Sequence, residues 1–248
     1  EFMTLNEVMN ALPDTDKVVI THSGGLDSST AVIIAAHKYG ADNVYSVGYD
    51  YGQKQRVELE RAEQLCDKLG VHRKLFDLSI LGEIAKPMSA NIAGTDIDMP
   101  TIQDVLGEPQ PSTYVPYRNM ILFSLTAAYA EAMGAEYVFA GIQATDAYGY
   151  WDTTPSFADA LNNVMSMNRN CPVQLVAPFN TLTKDEEIAL LEELDVVHLY
   201  EHTLTCYDPD IDGKSCGVCP SCAERIKAFM DRSIADPIEY QITIPWQL

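Results

Sequence analysis

Lys17-Val18-Val19-Ile20-Thr21-His22-Ser23-Gly24-Gly25-Leu26-Asp27-Ser28-Ser29 is the stretch whose reading decides the fold. A compact apolar run ends in a pair of glycines, and Ala31, Ile34, Ala35 and Lys38 then recur at helical spacing. That pattern predicts strand, tight turn and helix, with the helix over 28–39. The alternation continues outward on both sides. A leading helix is expected over 6–12, strands over 44–49 and 74–76, and a charged amphipathic helix over 56–69. Further on come a helix over 119–133, a strand over 137–140, a helix from 155 to about 167 and a strand over 174–177. A helix over 183–194 opens on Thr183 with Glu186 three residues on, a capping-box pattern. A terminal helix spans 223–230. Strands separated by helices need crossover connections, which implies a twisted parallel sheet with helices on both faces. Such sheets take ligands beyond the carboxyl ends of their strands.

The 248 residues predict a single α/β domain over 3–248, with Glu1-Phe2 ahead of Met3 read as a cloning remnant. The periodicity lapses over 83–113, where Pro87, Gly94, Pro100, Gly107, Pro109 and Pro111 punctuate the chain. A stretch that long without regular pattern reads as a lid-like insertion. Hydrophobic residues make up 47%, enough to exclude a disordered chain. With 36 acidic against 16 basic residues the formal charge is −20, which repels phosphate backbones, so nucleic-acid binding is not expected. No apolar run approaches the length of a membrane span and no basic-plus-apolar leader is present. The expected location is the cytoplasm.

Two segments carry chemistry. In Ser23-Gly24-Gly25-Leu26-Asp27-Ser28-Ser29 the glycines let the backbone fold around an anion and the helix start aims free N–H groups at it. Ser23, Ser28 and Ser29 add hydroxyls, and Asp27 either holds a magnesium ion or shapes the loop. No lysine follows the glycines, so this is not the loop that ends in Gly-Lys-Ser/Thr. Near the C-terminus, Cys206, Cys216, Cys219 and Cys222 form two overlapping C-x-x-C steps with a distant fourth thiol. Four thiolates complete a tetrahedral zinc site and leave no position for water, which makes it structural, pinning a segment over 203–230. An iron–sulfur cluster, a redox dithiol and a reactive thiol are the alternatives. The five histidines form no spaced constellation and read as structural or exposed.

The glycine loop resembles that of the N-type ATP pyrophosphatases, Ser-Gly-Gly-x-Asp-Ser, of adenine nucleotide α-hydrolase-like fold. Combined with the cysteines, the chain resembles the 7-cyano-7-deazaguanine synthases of queuosine biosynthesis. Further blocks carry that likeness: Asp50-Tyr51-Gly52-Gln53, Val115-Pro116-Tyr117-Arg118-Asn119, Thr145-Asp146, Gly149-Tyr150 and Thr203-Leu204-Thr205-Cys206-Tyr207. The departures are specific. Tyr117 stands where the family usually has glycine, Ala144 where it has Glu, Lys54-Gln55 where it has Arg-His, and Trp151-Asp152-Thr153-Thr154 where it has Pro-Asp-Cys-Arg.

The resemblance implies that ATP, with Mg2+, adenylates 7-carboxy-7-deazaguanine, that ammonia then gives the amide, and that a second activation gives the nitrile. Ser23, Asp27, Lys184 and Arg118 would be catalytic. The loop residues Ser23 to Ser29 with Asp50 and Tyr51 would hold the nucleotide. Gln53, Arg118, Asn119, Asp146, Tyr150 and Asp152 would hold the base, with Asp146 or Asp152 on its guanine edge and Tyr148, Tyr150 or Trp151 stacked on its ring. Rival readings are an ammonia-dependent NAD or GMP synthetase, a tRNA thiolase, a variant that stops at the amide or modifies a macromolecule, and a zinc-braced ATP-binding module without turnover. A homodimer is kept open.

Overall fold

The computed structural model describes residues 3–101, 104, 111–143 and 150–246. Strands β1 (Val18–Thr21), β2 (Val44–Asp50), β3 (His72–Asp77), β4 (Tyr137–Ala140) and β5 (Gln174–Val176) form one sheet in the order β3-β2-β1-β4-β5, every neighbouring pair parallel. Around it lie α1 (Leu5–Ala11), α2 (Leu26–Tyr39), α3 (Val57–Leu69), α4 (Ser79–Ala85), α5 (Arg118–Met133), α6 (Pro155–Met165), α7 (Lys184–Glu193) and α8 (Pro220–Asp231). The α/β class expected from the alternation is the one observed.

Strand β1 sits in the middle because its residues suit burial on both faces. Val18 and Ile20 join a core with Ile34 of α2, Ile188 of α7 and Phe229 of α8. Val19, pointing the other way, joins Val47, Leu122 and Phe123 beneath α5. Alternate residues of one strand therefore belong to different cores, as a period of two requires. The edge strand β3 runs six residues, longer than its apolar pattern suggests, because His72, Lys74 and Asp77 face solvent. Glu186 accepts from the Thr183 N–H at 3.4 Å, so the capping box that opens α7 is present.

The chain builds β1, β2 and β3 outward, then returns to lay β4 on the other flank of β1. The carboxyl ends of β1 and β4 thus part in opposite directions, which opens the crevice where such sheets take ligands. Helix α2 starts at Leu26, two residues before the sequence pattern suggested, since Leu26 is itself fully buried. Leu26, Asp27, Ser28 and Ser29 consequently form the first turn of a helix, not a free loop.

Candidate active site

A cavity of about 270 Å³ occupies this crevice, lined by Ser23, Gly25, Asp27 and Ser28, by Gly141 after β4, and by Lys184 at the start of α7. Two glycines make the loop fit. Gly24 has φ +104°, and a Cβ there would lie 1.9 Å from the Glu58 carbonyl oxygen on α3. At Gly141 a Cβ would come within 2.4 Å of the Ser28 nitrogen. Within the loop the Ser23 and Ser28 hydroxyls lie 3.3 Å apart, and the Gly25 N–H donates to the Ser23 Oγ at 3.3 Å. Leu204 donates its N–H to the Gly24 carbonyl at 2.8 Å, tying the loop to the segment that leads into the cysteines.

Lys184 is the first residue of α7, yet it is buried, and its Nζ stands 3.0 Å from both oxygens of Asp27. The pairing sets an ammonium beside the N-terminal N–H groups of α2, where an anion is stabilised by both. Beneath the loop, His22 is fully buried between Ser46 Oγ at 2.8 Å and Ser29 Oγ at 2.9 Å. Arg73 donates to the His22 carbonyl at 2.7 Å and to Ser46 Oγ at 2.9 Å. Burial first, and the Arg73 charge second, hold the imidazole well below its usual pKa, so it is neutral and structural.

On the opposite wall, Arg118 opens α5 and donates to the Tyr51 hydroxyl at 3.3 Å. Burial acts to lower its pKa, but Tyr51, Tyr150 and Asp152 raise it further, so the guanidinium stays charged. Asn119 donates its backbone N–H to Asp152 Oδ2 at 3.0 Å and its side-chain Nδ2 to the Asp152 carbonyl at 3.2 Å. One oxygen of the Asp152 carboxylate is therefore spent on the start of α5. Tyr150 pairs its hydroxyl with Thr113 at 2.6 Å. Of the residues expected at the base, Gln53, Arg118, Asn119 and Tyr150 line the cavity, and so does Tyr51. Asp50 instead pairs with Arg56 at 2.8 Å. Asp146, Tyr148 and Ala144 lie outside the described residues.

Tyr117 and Trp151 meet each other edge to face, with centroids 5.4 Å apart, and both are substantially exposed. Neither lines the cavity. Tyr117 has φ +53°, a left-handed conformation costly for any residue with a Cβ.

Among the cavity-lining residues the sequence reading missed are three buried polar ones. Gln55, Glu58 and Asn91 are all buried, at 5%, 6% and 1% exposure. Burial, opposed by Arg118, pushes the Glu58 carboxyl up to about 8. Its signal was present: Glu58 falls on the same helical stripe as Ala62 and Leu65, an acid on an apolar face.

The sulfur atoms of Cys206, Cys216, Cys219 and Cys222 all lie within 4.8 Å of one another in a buried cluster. Backbone N–H groups of Asp208 and Cys216 point at the Cys206 sulfur at 3.2 Å, and that of Cys222 at the Cys219 sulfur at 3.3 Å. Four sulfurs so close, three of them supplied with N–H donors, fit a four-coordinate metal ion.

The family model described as queuosine biosynthesis protein QueC matches residues 17–233. The chain belongs to that family. It is 37% identical over 226 residues to 7-cyano-7-deazaguanine synthase 1 of Colwellia psychrerythraea, covering 91% of this chain and 99% of that one. It is 36% identical over 230 residues to 7-cyano-7-deazaguanine synthase of Thermoplasma volcanium, covering 90% of each. A solved NH3-dependent NAD synthetase from Campylobacter jejuni is similar at a TM-score of 0.48 and 19% identity, over 78% of this chain and 75% of that one. Membership in that family and the two synthases make the chain an enzyme of queuosine biosynthesis. No helix among the described residues is long and apolar enough to cross a membrane.

Proposed function

We propose that the protein converts 7-carboxy-7-deazaguanine, ammonia and ATP into 7-cyano-7-deazaguanine through the 7-amido compound. The observation that carries this reading is one cavity holding an anion-binding helix start, a buried lysine and a charged arginine, in a chain whose relatives are named for that product.

A carboxylate resists attack by ammonia because its leaving group would be oxide. Transfer of AMP from ATP to a carboxylate oxygen releases diphosphate and makes AMP the leaving group. The α2 N–H groups, the Ser23 and Ser28 hydroxyls and Lys184 take up the charge on the departing diphosphate. When bound, magnesium would sit with the phosphates, near Asp27. Ammonia displaces AMP and loses a proton to give the amide. A second AMP transfer activates the amide oxygen, and loss of AMP and a proton leaves the nitrile. Arg118 offers a two-pronged grip on the substrate carboxylate. Cys206, Cys216, Cys219 and Cys222 would hold zinc, which with four thiolates would serve the fold and supply no chemistry. Tyr117 and Trp151, which would crowd the base if they faced it, lie outside the cavity lining, and this favours the full sequence over a halt at the amide.

The test is a time course with 7-carboxy-7-deazaguanine, ATP and ammonium followed by mass spectrometry. Amide should rise and then be consumed, at about two ATP per nitrile. Amide accumulating at about one ATP each would make this an amide-forming enzyme. Ser23→Ala, Asp27→Ala and Lys184→Ala should each lower diphosphate release by at least about tenfold while the protein stays folded. Full activity in all three would reduce the loop to a turn.

A further inference from the structure

Of the two acids expected to read the guanine edge, Asp146 lies outside the described residues and Asp152 serves the start of α5. A different set of groups stands ready. Residues 52–54 pair with residues 91–93: the Lys54 N–H donates to the Asn91 carbonyl at 2.9 Å, the Ala93 N–H to the Gly52 carbonyl at 2.8 Å, and Gln53 bridges Ile92. This pairing carries Asn91, from the proline-punctuated stretch, to the cavity wall beside Gln55 and Glu58. Asn91 is almost wholly buried there, and both its Oδ1 and its Nδ2 lack a partner. The Oε1 of Gln55 is likewise buried and unpartnered. Glu58 sits one turn on, tied to the same turn through the bond from its N–H to the Gln55 carbonyl at 2.9 Å and through Gln53 Nε2 at 3.5 Å from its Oε1.

Leaving buried amide groups unpaired costs roughly 1–3 kcal/mol each, so their clustering on a cavity wall points to a polar, planar occupant. A guanine-type edge presents adjacent ring N–H and amino donors next to a carbonyl oxygen. A carboxyl group accepts from the first two, and an amide N–H donates to the third. We propose that Glu58, Asn91 and Gln55 read the Watson–Crick edge of the 7-deazaguanine base, with Glu58 accepting from the ring N–H and the amino group. This rests on the proposed function and adds the residues that set its specificity. The groups facing the Glu58 carboxyl are Gln53 on its own turn, Tyr51 after β2, Arg118 from α5 and Arg73 from β3. Burial keeps its proton on in the open cavity, and two N–H donors reverse that preference, so binding releases a proton.

Calorimetry on the zinc-loaded protein tests this, using 7-carboxy-7-deazaguanine, its analogue lacking the 2-amino group, guanine, and ATP as separate probes. The wild type should bind the two guanine-type probes at least about tenfold more tightly than the analogue, with release of about one proton near pH 7. In Glu58→Gln that preference and the proton release should both vanish, and Asn91→Ser should weaken both guanine-type probes alike. ATP affinity should move less than about twofold in either variant. Variants whose ATP affinity falls while base binding is unchanged would assign these residues to adenine and overturn the proposal. Variants that bind every probe as the wild type does would make the groups structural and overturn it equally. Glu58-dependent binding of guanine by a wild type that makes no amide or nitrile would sustain this site and sink the proposed reaction.

Discussion

Tyr117 and Trp151 illustrate how two oddities explain each other. Each departs from the pattern of the family the sequence resembles, and each carries a large ring. Position 117 is left-handed, which gives glycine its natural advantage there. Tyrosine accepts a backbone cost of roughly 1–2 kcal/mol and offsets part of it by packing on Trp151. A double-mutant cycle with Tyr117→Gly and Trp151→Ala, followed by thermal unfolding, should give a coupling of about 0.5–1.5 kcal/mol. Additive effects would show the rings to be independent. Glu58 supplies a second residue-scale prediction. Its carboxyl titrates at about 8 in the fold against 4.5 ordinarily, so between those values the folded protein keeps a proton that the unfolded chain gives up. Stability should therefore fall as pH rises through that window and level off above it. In Glu58→Gln, denaturant titrations across the window should lose a component of that slope worth on the order of a few kcal/mol. An unchanged slope would mean the carboxyl is not desolvated.

Among elements, legibility followed burial. Strand β4 agrees with its apolar run residue for residue, and β1 lies within one residue of its own, because a strand buried on both faces leaves a continuous hydrophobic signature. Strand β3 was half seen, since an edge strand with charged residues outward carries little pattern. The cavity divided in the same way. Its loop was legible from Ser23 to Ser29, where glycine spacing and helix start coincide. Asn91 was not, because long-range pairing of 52–54 with 91–93 puts it in place, and a single sequence does not display pairing. The stretch after α8 was unread for a like reason. There Asp236, fully buried, receives both Nε and Nη2 of Arg225 at 2.6 and 2.9 Å, while the Tyr240 hydroxyl donates to it at 2.8 Å. Asp236→Ala strands a buried guanidinium and should cost about 3–5 kcal/mol in unfolding free energy. A loss under about 1 kcal/mol would show that the arginine finds another partner or reaches solvent.

For the molecule as a whole, the cysteine segment and the anion loop are a single mechanical unit. Leu204 is bonded to Gly24, Arg225 donates to Thr203 Oγ1 at 2.8 Å, and Ser221 and Glu224 of α8 line the cavity. Removing the metal with a chelator should leave most far-ultraviolet circular dichroism in place yet abolish diphosphate release. Saturating ATP should slow metal loss, because two ligands that favour one conformation must favour each other. Metal loss that proceeds at the same rate with and without nucleotide would separate the two sites.

The same bond between Leu204 and Gly24 has a consequence for synthesis. A growing chain displays its glycine loop early, when little beyond α1, β1 and α2 has left the ribosome, but Leu204 follows about 180 residues later. Until then the loop lacks the bond that ties it to the segment leading into the cysteines. That tie therefore waits on residues made long after those of the loop. Were an ion at the four cysteines needed to hold that segment, its shortage would register first as missing product from chains whose sheet is already built.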